Sequence, residues 1–241
     1  MTSGFCKQYH EFYQWPTIKV CPKCLTVLEP HEGCDQKFEK EIIVNQSSIA
    51  KSFANILISL HIDLADANFT DTPNRVQRVY EHLCLRNVLG PEKDKESIKK
   101  LVVTFPSTAK NLVVVKNVKA YSVCPHHFLP VEYRVDFGYI PDNSVVGLSK
   151  IPRLIKYLAK KPVLQEDFVE EIVDVFEEML KPLGCMAIVQ GFHGCMKFRG
   201  IEEPNSPVIT SAIKGVFKNP PEGKNPRQEM LDLLAKSDRS E

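Results

Sequence analysis

The chain has 241 residues, 43% of them apolar and 25% charged, and a formal net charge of +1. That length supplies core for one large globular domain, or one domain with a small appendage, and a charge so near zero excludes a general attraction to nucleic acid or anionic membrane. The polar start Met1-Thr2-Ser3-Gly4 leads into no apolar signal core, and no apolar run approaches a membrane span. The chain therefore reads as cytoplasmic, and its eight cysteines as thiols and metal ligands rather than a disulfide framework.

Residues 1–40 read as a separate Cys-rich arm in which Pro16, Pro22 and Pro30 break any periodicity. Cys21-Pro22-Lys23-Cys24 places two thiols on one tight turn, and Cys34 and Cys6 could complete a second, structural metal site, with His10 or His31 as substitutes. The competing reading is four reduced thiols, since no second CxxC follows. Lys19, Lys23 and Lys37 are too few to argue for nucleic acid.

Helical spacing of Ile49, Phe53, Ile56, Leu57 and Leu60 predicts a helix over 45–61. Thr72-Pro73 starts a second one, with Arg75 and Arg78 off its apolar face. Gly90 to Glu96 reads as a charged loop, followed by strands at about 100–105, 111–119 and 131–140. A short helix follows Ser149-Lys150, and a longer one spans about 163–181. Strands at about 185–191 and 195–201 frame a bend at His193-Gly194, a strand follows near 208–217, and Asn225-Pro226 opens a C-terminal helix. The expected class is α+β, an antiparallel sheet with helices on one face. The expected parts are the arm at 1–40, a helical region at 41–98 and a catalytic domain at 99–241.

Cys124 and His127 stand three apart, and Cys195 could add a third ligand from another strand. Two Cys and one His leave one tetrahedral position open, the pattern of a catalytic zinc. His126 and His193 stand beside them as candidate proton carriers. Against this, a lone Cys is often only a small apolar core residue.

The wider motifs resemble one family. Cys124-Pro125-His126-His127, Gly147-Leu148-Ser149-Lys150, Leu164-Gln165-Glu166 and His193-Gly194-Cys195-Met196-Lys197-Phe198-Arg199-Gly200 occur in this order. With Leu64-Ala65-Asp66, Thr72-Pro73-Asn74-Arg75-Val76, Asn205-Ser206, Thr210-Ser211 and Gly215-Val216-Phe217, they resemble GTP cyclohydrolase I over roughly residues 45–235.

The resemblance implies conversion of GTP and water to 7,8-dihydroneopterin triphosphate and formate. It implies one Zn2+ on Cys124, His127 and Cys195, which brings the pKa of a bound water from about 15.7 towards 7 for attack on guanine C8. It implies that His193 protonates N7, that His126 is a second proton carrier, and that Glu166, with Gln165 beside it, reads the guanine N–H groups. It assigns Ser149, Lys150, Arg153 and Arg199 to the triphosphate, and Arg75 and Arg78 near it. The implied architecture is a tunnelling fold: four-stranded antiparallel sheets close into an oligomeric barrel, two five-membered rings forming a decamer with active sites between subunits.

Pro125 stands where the family usually has Glu, which removes an acceptor behind the metal ligands and stiffens the loop. Two other readings share the fold. An inactive zinc-bound scaffold would use residues 1–40 as an interaction module. A sister enzyme reduces a nitrile with NADPH through a metal-free Cys and a nearby Asp, whereas here the Cys is bracketed by His at metal spacing.

Overall fold

The computed structural model describes residues 17–20, 27–28, 41–43 and 48–237. Cys6, Cys21, Cys24 and Cys34, and with them the expected second metal site, lie outside the described residues. The chain divides into two compact units, residues 1–82 and 83–241.

The first unit holds three short strands, β1 (Thr17–Val20), β2 (Val27–Leu28) and β3 (Glu41–Ile43), antiparallel in the order β2-β1-β3. Helix α1 (Ser48–Ser59) buries Ala50, Ala54 and Leu57 against Leu64. Helix α2 (Thr72–Leu83) follows, with Pro73 in its first turn, where a missing N–H costs nothing.

The second unit is built on a four-stranded antiparallel sheet, β5 (Val113–Val123), β6 (Pro130–Ile140), β8 (Gly184–His193) and β9 (Val208–Gly215), in the order β5-β6-β8-β9. A two-stranded sheet pairs β4 (Thr104–Pro106) with β7 (Ser144–Val146). Alternation in β6 works as the sequence predicts: Val131, Tyr133, Val135, Phe137 and Tyr139 all face the core. Above them lie α5 (Lys150–Leu158), burying Ile151, Leu154, Ile155 and Leu158, and α6 (Gln165–Leu180), burying Phe168, Val169, Ile172, Val173 and Phe176. Phe137 stacks on Phe176 at 4.0 Å between ring centroids. Asn117, at φ 56°, makes the bulge that shifts the β5–β6 register between Val115 and Val118.

Three expectations are corrected. The charged stretch after Gly90 is not a loop but the start of helix α4 (Pro91–Leu101). Its signals are a first-turn Pro91, Glu92 and Asp94 at the N-terminus, and Lys99 and Lys100 at the C-terminus, all favourable to the helix dipole. The strand expected at 100–105 is thereby confined to β4, and a short helix α3 (Leu85–Leu89) precedes Gly90. The segment after His193 is not a strand but one helical turn, α7 (Gly194–Lys197), closed by Phe198 N–H donating to Gly194 O at 2.9 Å. Finally, helices do not cover one face alone. In α8 (Pro226–Ser237), Met230 packs with Met186 and Phe217, and Met186 alternates with the core-facing Cys185 and Ala187 along β8.

Candidate active site

Two chain reversals at one end of the sheet build the site. The β5–β6 connection is tied by Cys124 N–H to Leu129 O and Phe128 N–H to Cys124 O, both 2.9 Å, with Phe128 at φ 55°. Pro125 is exposed within this turn, where its fixed φ suits the bend. From β8, His193 pairs with Val131, and the α7 turn brings Cys195 round towards Cys124. Gly194 is needed there because a Cβ would lie 2.8 Å from Pro130 O.

One ligand atom each from Cys124, His127 and Cys195 lie within 4.8 Å of one another, and Cys124 Sγ stands 3.8 Å from His127 Nδ1. A tetrahedral zinc site with Zn–S of about 2.3 Å and Zn–N of about 2.0 Å has edges of about 3.5–3.8 Å. The three residues therefore fit such an ion and leave a fourth position for a water or substrate. The Cys195 thiol is pushed up by burial and by Cys124 beside it, an effect that a dication between them reverses.

His126 is exposed, its ring 6.3 Å from that of His127. His193 is half-buried; burial pushes its imidazole below the ordinary value, and the Glu166 carboxylate works against that. Glu166 is exposed in the first turn of α6. Gln165 is 2% exposed and its side chain is bonded within the protein, to β8, β9 and His193. Ser149 caps α5 by position without a side-chain hydrogen bond, and Lys150 and Arg153 follow in its first turns. Arg199 is exposed just past α7. Arg75 and Arg78 belong to the first unit, where both bond Asp71 Oδ2, at 3.2 and 3.3 Å.

Two features escape a reading of the sequence. Tyr133 is fully buried, stacked on Phe168, and its hydroxyl has no hydrogen-bond partner among the described residues. Burial drives this phenol's pKa up, Cys124 and Glu166 add to the effect, and a weak contact with the Ser122 hydroxyl, outside ordinary hydrogen-bond geometry, opposes it. In the sequence Tyr133 is one more alternating core position, and nothing marks its hydroxyl. A cleft of about 270 Å³ also opens beside His193, lined by Glu132, Arg134, Phe192, Lys197 and Ser206 among others. The outward alternation of Glu132 and Arg134 was its only sequence signal.

Among known proteins, the family model described as GTP cyclohydrolase I matches residues 49–234. A protein of Leptospira biflexa named GTP cyclohydrolase 1 is 36% identical over 165 residues, covering 68% of this chain and 85% of its own. A namesake from Dehalococcoides mccartyi is 35% identical over 192 residues, covering 79% of this chain and 97% of its own. Another from Streptococcus pyogenes is 31% identical over 201 residues, covering 83% and 99%. The solved structure of an apo archaeosine synthase QueF-Like aligns with 43% of this chain and 93% of its own at 18% identity and a TM-score of 0.34, too loose a likeness to bear on function. With the match running from α1 into α8 through every strand of the four-stranded sheet, the chain belongs to the GTP cyclohydrolase I family.

Proposed function

We propose that this protein hydrolyses and rearranges GTP to 7,8-dihydroneopterin triphosphate and formate. The observation that carries the reading is the convergence of Cys124, His127 and Cys195 beside His193 and Glu166, in a chain of this family. Zinc held by those three residues would supply a water activated for attack near neutral pH.

The chain's own residues do the rest. Glu166 accepts hydrogen bonds from the guanine ring N–H and amino group, a donor pair that adenine lacks. His193 takes up a proton on the ring nitrogen not bonded to Gln165 and passes it to N7, which makes C8 electrophilic; burial holds the imidazole below its ordinary pKa, so that proton is readily given up. His126, exposed next to His127, exchanges protons in the later ring-opening steps. Ser149, Lys150, Arg153 and Arg199 hold the triphosphate.

The assembly is a homodecamer of two stacked pentameric rings in the tunnelling fold. Support for the barrel comes from β5 and β9, which edge the four-stranded sheet, β9 with Ile209 64% exposed. Closing the sheet across subunits would pair both edges. No described helix is long and apolar enough to cross a membrane.

The test is to load the full chain with zinc, add GTP, and follow formate together with the near-ultraviolet absorbance of the dihydropterin. Both signals should rise together, and in His126→Ala the pterin signal should fall by about 10²-fold or more, the usual worth of a general acid–base group. Zinc bound without formate release would instead favour the inactive scaffold. A zinc count of one per chain would leave residues 1–40 without a metal, and a count of two would place one there.

A further inference from the structure

Gln165 opens α6 and is 2% exposed, so its amide must find partners inside the protein. Its Nε2 donates to Val189 O at 3.1 Å and to Val208 O at 2.8 Å, with Thr210 Oγ1 at 3.3 Å. The two carbonyls can only accept, and so they decide which end of the amide is nitrogen. Oε1 therefore faces His193 Nε2, 2.8 Å away. That oxygen has no hydrogen to give, so Nε2 must carry one. The ring is held with its Nε2–H on the Gln165 oxygen, and Nδ1 is the nitrogen left for other partners. The backbone makes room for this pair. At Gly191 a Cβ would lie 2.0 Å from Gln165 Oε1 and 3.0 Å from His193 Nε2. The Tyr133 ring meets the imidazole edge-on at 6.2 Å and is itself backed by Phe168 at 4.8 Å.

We infer that Gln165 is the positioning residue of His193, a strut from the β8–β9 pair that fixes the ring's orientation and tautomer, and not a group whose side chain reads guanine. The inference rests on the cyclohydrolase reading for what His193 does, and on geometry alone for how it is held.

Two variants test it in the zinc-loaded full chain. Gln165→Met keeps the length and removes the bridge. Gly191→Ala changes neither partner but drives the flexible amide end away from the imidazole. Both are expected to lower kcat by about 100-fold, the scale of a misplacement of about 1 Å, with KM for GTP little changed. A raised KM with kcat kept is the pattern of a lost substrate contact and would overturn the inference. A second readout needs no turnover. Solid-state NMR of ¹⁵N-histidine-labelled protein should show a hydrogen-bonded imidazole N–H, assigned by its loss in His193→Asn and missing from Gln165→Met. Its persistence in Gln165→Met would overturn the strut. A wild type that releases no formate would sink the cyclohydrolase reading, and the same N–H would still decide: present in wild type and lost in Gln165→Met it supports the strut, absent from wild type it overturns it.

Discussion

Tyr133 sits at the junction of core and chemistry. Its ring does what an alternating strand position should, stacking on Phe168, while its hydroxyl is carried along without a hydrogen-bond partner among the described residues into the neighbourhood of Cys124, Glu166 and Cys195. An unpaired buried hydroxyl destabilises by roughly 1–3 kcal/mol. Tyr133→Phe should therefore raise stability by about 1 kcal/mol or more, read as a higher urea midpoint at unchanged slope, with the zinc content kept. A lower midpoint would mean that the hydroxyl has a partner in the metal-loaded protein. Cys185 is the opposite case: burial above all pushes its thiol up to about 12, so it behaves as a small apolar residue, as a buried Cys usually does.

At the scale of elements, one side chain joins four helices. Arg86 in α3 bonds Asp94 of α4 through Nε and Nη2 at 2.8 Å, Glu171 of α6 at 2.8 and 3.1 Å, and Leu158 O at the end of α5 at 2.9 Å. Tyr157 donates to Asp94, and Lys161 pairs with Glu171. Arg86 is only 7% exposed. Arg86→Met leaves Asp94 without its ion-pair partner and Glu171 with Lys161 alone, and should cost about 3 kcal/mol or more, measured by urea unfolding; a loss under about 1 kcal/mol would make the network a surface ornament. Burial pushes Asp94 up, but hydrogen bonds from Arg86 and Tyr157 and the charges of Arg86 and Lys161 outweigh it, so its carboxyl lies below the ordinary value in the fold. A group depressed in this way stabilises fully above its unfolded value of about 4 and loses that contribution as pH falls through the lower folded value. Wild type should therefore lose stability below about pH 4 more steeply than Arg86→Met, checked by melting both across pH 2–6.

These elements also show what a sequence can disclose. The β6 alternation and the α6 period were legible because one face of each meets a continuous core. The turn α7 was not, because a single helical turn has no period to read, and its cause is tertiary: Gly194 must press against Pro130 O. Helix α4 was missed because all its residues are polar or half-exposed, so only its termini announce it. At the site, residue types and spacing disclosed Cys124, His127 and Cys195. They could not disclose that Gln165 faces inward to His193 while its neighbour Glu166 faces out, since adjacent helical residues point about 100° apart and only packing decides which one is buried.

At the scale of the whole molecule, the proposed function requires Cys124, His127, Cys195, His193 and Glu166 to act together as a site for opening the imidazole ring of GTP. The most direct measurement follows the fate of the carbon attacked. GTP labelled with ¹³C at C8 is incubated with the zinc-loaded chain, and the products are followed by NMR. All converted label should appear as formate, and the dihydropterin triphosphate formed alongside should carry none. Label retained in an intact purine, or in the pterin, would contradict the proposed function.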